Sequence, residues 1–195
     1  MNALTVVTAA ADTVVSLDDV KQQSRIDVTT DDAYISEFLI PAAEETVEAY
    51  LRRPLLVRTY KLTMDGWPAG DRLTLPKPPL ISVSSVVYYD EDGASATYAS
   101  SNYIVDTASQ PGRLVLKSGS SWPSTVLQEI NGVEITFTAG YATVPDIPLR
   151  ARQAVLVLAA TLYEHRESIV AAPGIAIAEL PLVQHLLYPL RDLRF

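Results

Sequence analysis

LRARQAVLVLAATLYEHRE, residues 149–167, decides how this chain must fold. Ala151, Ala154, Val155, Leu158, Ala159 and Leu162 recur at helical spacing, and Leu156, Val157, Ala160 and Tyr163 clothe the opposite side. A helix apolar nearly all round cannot lie on a surface; other elements must enclose it. At about 19 residues it has the length to cross a bilayer. Charge argues otherwise. Arg150, Arg152 and Gln153 occupy its first turn, and Glu164, His165, Arg166 and Glu167 its last, leaving an uncharged core of only about ten residues. The stretch reads as the central buried helix of a folded core.

A length of 195 residues suffices for one domain, or for one domain carrying a sizeable insertion. The content of 48% hydrophobic and 19% charged residues excludes wholesale disorder. There is no cysteine, so disulfide scaffolds, thiolate metal sites and cysteine nucleophiles are out of reach. The opening MNALTVVTAAADTVV lacks the basic n-region and long apolar run of a signal peptide, which points to a cytoplasm or to export inside an assembly. The formal charge is −8, and the 15 Lys and Arg form no run. Tight gripping of nucleic acid needs clustered cations, so it is disfavoured; DNA passing by without sticking is not.

Taken in order, residues 1–15 read as an extended arm. Ser16 before Leu17-Asp18-Asp19-Val20 is a helix start, with a hydroxyl cap and acids in the positive first turn, and this helix runs to about Ser24. A second helix, about 31–52, carries Ile35, Leu39, Ala42, Ala43, Val47, Tyr50 and Leu51 on one side and Glu37, Glu44, Glu45 and Glu48 mostly on the other. Pro41 should kink it and Pro54 ends it. Between 55 and 140 the pattern turns to alternation, in VRTYKLTM (57–64), ISVSSVVYY (81–89) and VEITFT (133–138), with shorter runs at 72–75, 96–98, 103–106 and 113–116. Six or seven short strands set between two helices have the pattern of a small antiparallel β insertion in a helical domain. The chain closes with ELPLVQHLLYPLRDLRF, residues 179–195, where Leu182, Leu186, Leu190 and Leu193 line up with Val183, Leu187 and Phe195 nearby, and Pro189 should break or kink the segment. Such an apolar end must pack on its own core or on a partner.

Few residues suggest chemistry. His165 and His185 lie on separate segments with no second histidine at ligand spacing, so a metal site is not framed. Asp90-Glu91-Asp92-Gly93 lacks the further ligands of a calcium loop and reads as a hairpin turn. No phosphate-binding Gly-rich loop or nucleophile elbow is present. Trp67, Trp122 and Tyr141, beside turns, suit packing and interfaces equally, whereas Tyr60, Tyr88 and Tyr103 suit packing within strands.

The chain resembles the head–tail connector (adaptor) proteins of long-tailed phages and gene transfer agents, in their longer branch with a β insertion. The carrying segments span nearly the whole chain: Ser16-Leu17, Asp31-Asp32 through Tyr50 with Arg53-Pro54-Leu55, and Leu62-Thr63-Met64-Asp65-Gly66-Trp67-Pro68. Leu75-Pro76-Lys77-Pro78-Pro79-Leu80, Val86 to Tyr89 with Asp92-Gly93, Tyr103 to Asp106, and Pro111-Gly112-Arg113 with Ser121-Trp122-Pro123 follow. Phe137-Thr138-Ala139-Gly140-Tyr141, Tyr163-Glu164-His165-Arg166-Glu167 and Leu190 to Phe195 complete the set.

The resemblance implies an α+β protein: a helical connector core of about four helices, an inserted small antiparallel β domain and an extended C-terminal tail. The expected divisions are 1–54 (arm and core helices), 55–145 (β insertion), 146–178 (central helix and loop) and 179–195 (tail). It further implies a ring of about twelve copies under the portal protein, assembled in the host bacterial cytoplasm and sited at the head–tail joint of a virion. Such a ring continues the DNA channel, passes DNA without sequence-specific binding, meets a neck, stopper or tail protein, and involves no membrane. The tail residues Leu186, Leu187, Tyr188, Leu190, Arg191, Leu193, Arg194 and Phe195 would bind the portal, and Glu44, Glu45 and Glu48 would line the channel. The family supplies no catalytic, cofactor-binding or metal-binding residues. Two other readings stand beside it: another neck or tail part of a virion, and a cell-wall or carbohydrate hydrolase using carboxylates such as Asp65, Asp90 and Asp92.

Overall fold

The computed structural model describes residues 2–165 and 181–191. The chain forms two compact units: residues up to Ala10 with Val57–Tyr141, and Ala11–Leu56 with the described residues from Ala142 onward. The class is α+β, helices in one unit and antiparallel strands in the other.

The helical unit begins with α1 (Leu17–Ser24). Ser16 caps it as expected: its Oγ accepts the Asp19 N–H at 3.1 Å, and Asp19 Oδ2 accepts the Ser16 N–H at 2.9 Å. These bonds favour the charged carboxylate and hold Asp19 below its ordinary range. A reciprocal cap of this kind contributes about 1 kcal/mol. Arg25, left-handed at φ 55°, closes the helix by donating to the Gln22 and Lys21 carbonyls.

The second helix is α2 (Asp32–Tyr34), then a π-helical stretch Ile35–Leu39, then α3 (Ile40–Leu51). The kink expected at Pro41 takes the form of this widened turn, in which the Ile40 N–H reaches back to the Ile35 carbonyl. Pro41 has no N–H, and its ring collides with a carbonyl four residues earlier in a regular α-helix; a wider turn just ahead of it answers that conflict. Ile35, Leu39, Ile40, Ala43, Val47 and Leu51 are buried.

Among the described residues two further helices belong to this unit, α4 (Leu149–Glu164) and α5 (Pro181–Leu187), the latter followed by a 3-10 turn Tyr188–Leu190. α4 contacts α1, the π-helical stretch, α3 and α5. Ala151, Ala154, Val155, Leu158 and Ala159 are buried, and no residue from 154 to 163 is exposed. The enclosure expected of its all-round apolar surface is thus full on one side only, since Leu156, Val157, Ala160, Leu162 and Tyr163 are half-buried. Tyr163, on the second side of α4, donates its hydroxyl to Asp31 Oδ2 at 2.9 Å, fastening the end of α4 to the entrance of α2. Among the described residues no helix is long and apolar enough to cross a membrane.

The β unit has a five-stranded sheet ordered β1 (Asn2–Thr8), β2 (Arg58–Met64), β8 (Val133–Ala139), β4 (Leu80–Tyr89), β5 (Ser95–Thr97). A three-stranded sheet is ordered β3 (Arg72–Thr74), β7 (Arg113–Leu116), β6 (Tyr103–Asp106). One correction concerns the expected arm: residues 2–8 are a strand, paired antiparallel with β2 from Asn2 opposite Met64 to Thr8 opposite Thr59. Both sheets share one core, in which Leu62, Val86, Ile135 and Phe137 meet Leu73, Leu75 and Leu114. Gly112 is required by close approach, since a Cβ there would lie 2.4 Å from Leu80 Cβ.

The ladder β6–β7 is fastened by Asp106, whose carboxylate accepts from Ser109 Oγ at 2.6 Å and Arg113 Nε at 2.8 Å. These partners, with the Ser109 and Ala108 N–H groups, hold its pKa down at about 2. A folded pKa below the unfolded value of about 3.9 stabilises above that pH, and the contribution is lost as pH falls through the folded pKa. A carboxyl NMR titration should therefore give Asp106 a midpoint near 2. Asp106→Asn should weaken amide protection in β6 and β7 at neutral pH and remove that titration.

Candidate functional site

Among the described residues no group of His, Asp and Glu could hold a metal ion, and the candidate site consists of the positions singled out in the sequence. The C-terminal segment is the first. Val183 and Leu187 are buried, at 8% and 2% exposure, and α5 packs on α3 and α4. Of the apolar residues expected to pack here, Val183 and Leu187, beside the line Leu182, Leu186 and Leu190, are the ones the helical unit buries. Leu182 is exposed, Leu186 and Leu190 are half-buried, and the anchoring pair is Val183 and Leu187. Pro189 ends the helix as expected, within the 3-10 turn. Tyr188 stands 64% exposed, and the Arg191 guanidinium sits 5.0 Å from the centre of the Tyr50 ring, a cation–π contact back to α3. Leu193, Arg194 and Phe195 lie outside the described residues.

The three acids expected at a channel are not equivalent. Glu44 is buried at 8%, and its Oε1 accepts the backbone N–H of Val14. Glu48 is half-buried, and its Oε1 accepts the Leu55 N–H at 2.8 Å. Both oxygens are engaged in fixing segments that flank the helix. Glu45 alone of the three is exposed.

Two exposed aromatic residues escaped the sequence reading. Tyr34 and Phe38, 38% and 61% exposed, lie beside each other on the second helix with ring centres 6.0 Å apart. Their spacing of four residues is the available signal, but it lies off the side marked by Ile35 and Leu39.

Trp67, Trp122 and Tyr141 part company. The two indoles stack at 4.8 Å and 11°, joined by Tyr88, Tyr98 and Tyr103 in a contiguous aromatic cluster. Trp122 Nε1 donates to the Gly70 carbonyl and the Tyr98 hydroxyl to the Ser121 carbonyl, both at 2.8 Å. Packing thus accounts for Trp67 and Trp122, while Tyr141 is half-buried. Tyr60 is buried and stacks on Phe137 at 5.7 Å.

The carboxylates named for a hydrolase sit in turns. Asp90 Oδ1 accepts the Asp92 and Ala94 N–H groups at 3.1 and 2.8 Å, with Gly93 at φ 79°, a hairpin turn between β4 and β5. Asp65 Oδ1 accepts the Asn131 N–H at 3.2 Å. His165 is exposed at the end of α4.

Residues 14–132 match the sequence model of the family described as phage gp6-like head-tail connector protein. No curated protein matches the chain. Among solved structures, the chain is similar to one in the virion of a native gene transfer agent particle, with TM-score 0.78 and 27% identity over 98% of this chain and 96% of that one. A chain from the neck of an empty particle of this kind gives TM-score 0.74 and 28% identity, covering 99% and 97%. One from the neck of a native particle, computed with C12 symmetry, gives 0.72 and 27%, also covering 99% and 97%.

The burial of the anchoring pair sets a prediction. Leu187→Ala should destabilise the protein by about 2–5 kcal/mol in denaturant unfolding, as deletion of a buried leucine does. Tyr188→Ala, at an exposed position, should change stability little.

Proposed function

Because the chain belongs to the phage gp6-like head–tail connector family, we infer that it is a structural virion protein whose copies form a ring in the neck, joining head to tail. The carrying observation is the family match over residues 14–132 together with likeness along nearly the whole chain to proteins of gene transfer agent necks. The family and these neighbours are structural parts of particles, and we read this chain as non-catalytic. The turn role of Asp90 and the bond from the Asn131 N–H to Asp65 favour that reading over a hydrolase.

A ring of about twelve copies is the number suggested by the C12 symmetry of the similar neck. Its partners are the portal protein on one side and a neck, stopper or tail protein on the other, with assembly in the host bacterial cytoplasm. We assign residues 186–195, apart from the buried Leu187, to portal attachment. Support comes from Val183 and Leu187, which anchor the segment on the helical unit, while Tyr188 stays exposed beyond them. We assign passage of DNA through the ring to a lumen that repels phosphate. A net charge of −8 supports this, and of the three acids Glu45 is the one placed to contribute, because Glu44 and Glu48 are engaged with backbone N–H groups.

Electron microscopy of particles made without this protein tests the function. DNA-filled heads lying apart from complete tails are expected; joined particles that merely fail to infect would overturn it. The tail assignment has its own test. Ending the chain after Arg191 spares Val183 and Leu187, so unfolding should be unchanged while binding to purified portal is lost. Undiminished portal binding would remove residues 192–195 from the attachment.

A further inference from the structure

β1 is the outer strand of the five-stranded sheet, with β2 on one side and no described strand on the other. An edge strand leaves a row of backbone N–H and C=O groups without ladder partners, and solitary proteins guard such rows with lysine, proline or a covering element. β1, with the sequence NALTVVT, has neither charge nor proline, and its single irregularity lies near its end, between Val6 and Thr8. Six of its seven residues are exposed. Val6 sits opposite Tyr60 and so shares the face of a residue that is 3% exposed, yet Val6 itself is 54% exposed and Val7 56%. An unguarded edge and two uncovered valines coincide on one strand.

We propose that the outer edge of β1 is a contact between neighbouring copies in the ring, where an extended segment of the next copy adds to the sheet. The proposal rests on the ring reading above and names the surface that closes it. In a cyclic ring of more than two copies each subunit meets the next through two different patches, so an edge that accepts a strand needs no symmetry of its own. Charge points to the same occupant. Copies that each carry −8 repel one another, and a contact between them is best made at a surface free of acids; β1 has none. Seven residues of edge offer about three outward pairs of backbone groups, enough to fix a register.

The test uses the full chain in two forms. Val6→Lys with Val7→Lys places the charges that guard a free edge on two exposed positions. Separately, a photo-crosslinking residue, p-benzoylphenylalanine, replaces Val7 in the assembled particle. Wild-type rings seen by microscopy, loss of rings in a lysine variant with an unchanged far-ultraviolet melt, and a covalent product between two copies of this chain are expected. Wild-type rings with no such product, a product with a different virion protein, or intact rings in the folded lysine variant would overturn the edge contact and leave the ring reading standing. If the lysine variant does not fold, the crosslink decides. Failure of the wild-type chain to form rings in particles would overturn the ring reading itself.

Discussion

Enclosure of α4 is the constraint on which the helical unit depends. Three alanines, Ala151, Ala154 and Ala159, alternate with Val155 and Leu158 along its buried side. Small side chains let neighbouring backbones approach closely, and the larger pair fills the space between them. The other helical elements are arranged around this need. α1 is fixed by its cap, α3 by the Glu44 and Glu48 bonds to flanking backbone, and α5 by Val183 and Leu187. Because α5 packs on α3 and α4, the described residues 181–191 are held against the helical unit.

The β unit solves a different problem with different means. Its strands are short, so aromatic side chains carry much of the core, and polar staples hold the turns, Asp106 at β6–β7 and Asp90 at β4–β5, while Asp65 ties its loop to the distant Asn131. Such acids look catalytic in a sequence because a carboxylate is the same group in a turn and in an active site. Geometry separates the two. A side-chain oxygen that accepts the backbone N–H two to four residues ahead is serving the turn.

Much of this was legible because periodicity and punctuation agree. Alternation between Gly and Pro turns gave the strands, and Ser16 with Asp19 gave the helix start. What stayed hidden depended on partners distant in sequence. Residues 2–8 lack any pattern that separates a paired strand from an extended arm, and only the register with β2 makes them part of a sheet. Pro41 announced a disturbance but not its form as a π-turn. Glu44 looked like a member of a polar helix face, yet it is buried and its Oε1 accepts the Val14 N–H. At the end of the chain, leucines at every fourth position marked one side, while the side next to it, with Val183, is the one that packs. The Tyr34 and Phe38 pair went unseen because an exposed aromatic leaves no mark in a pattern read for burial.

The two stacked indoles have a practical consequence. Trp67 and Trp122 are the only tryptophans in the sequence, and both belong to the β unit. Intrinsic fluorescence is therefore an optical report on that unit, whereas ellipticity at the helical band reports mainly on the other. Without labels, one chain thus carries separate spectroscopic channels for its two halves, and superposition or separation of their transitions reads out whether they unfold as one cooperative body.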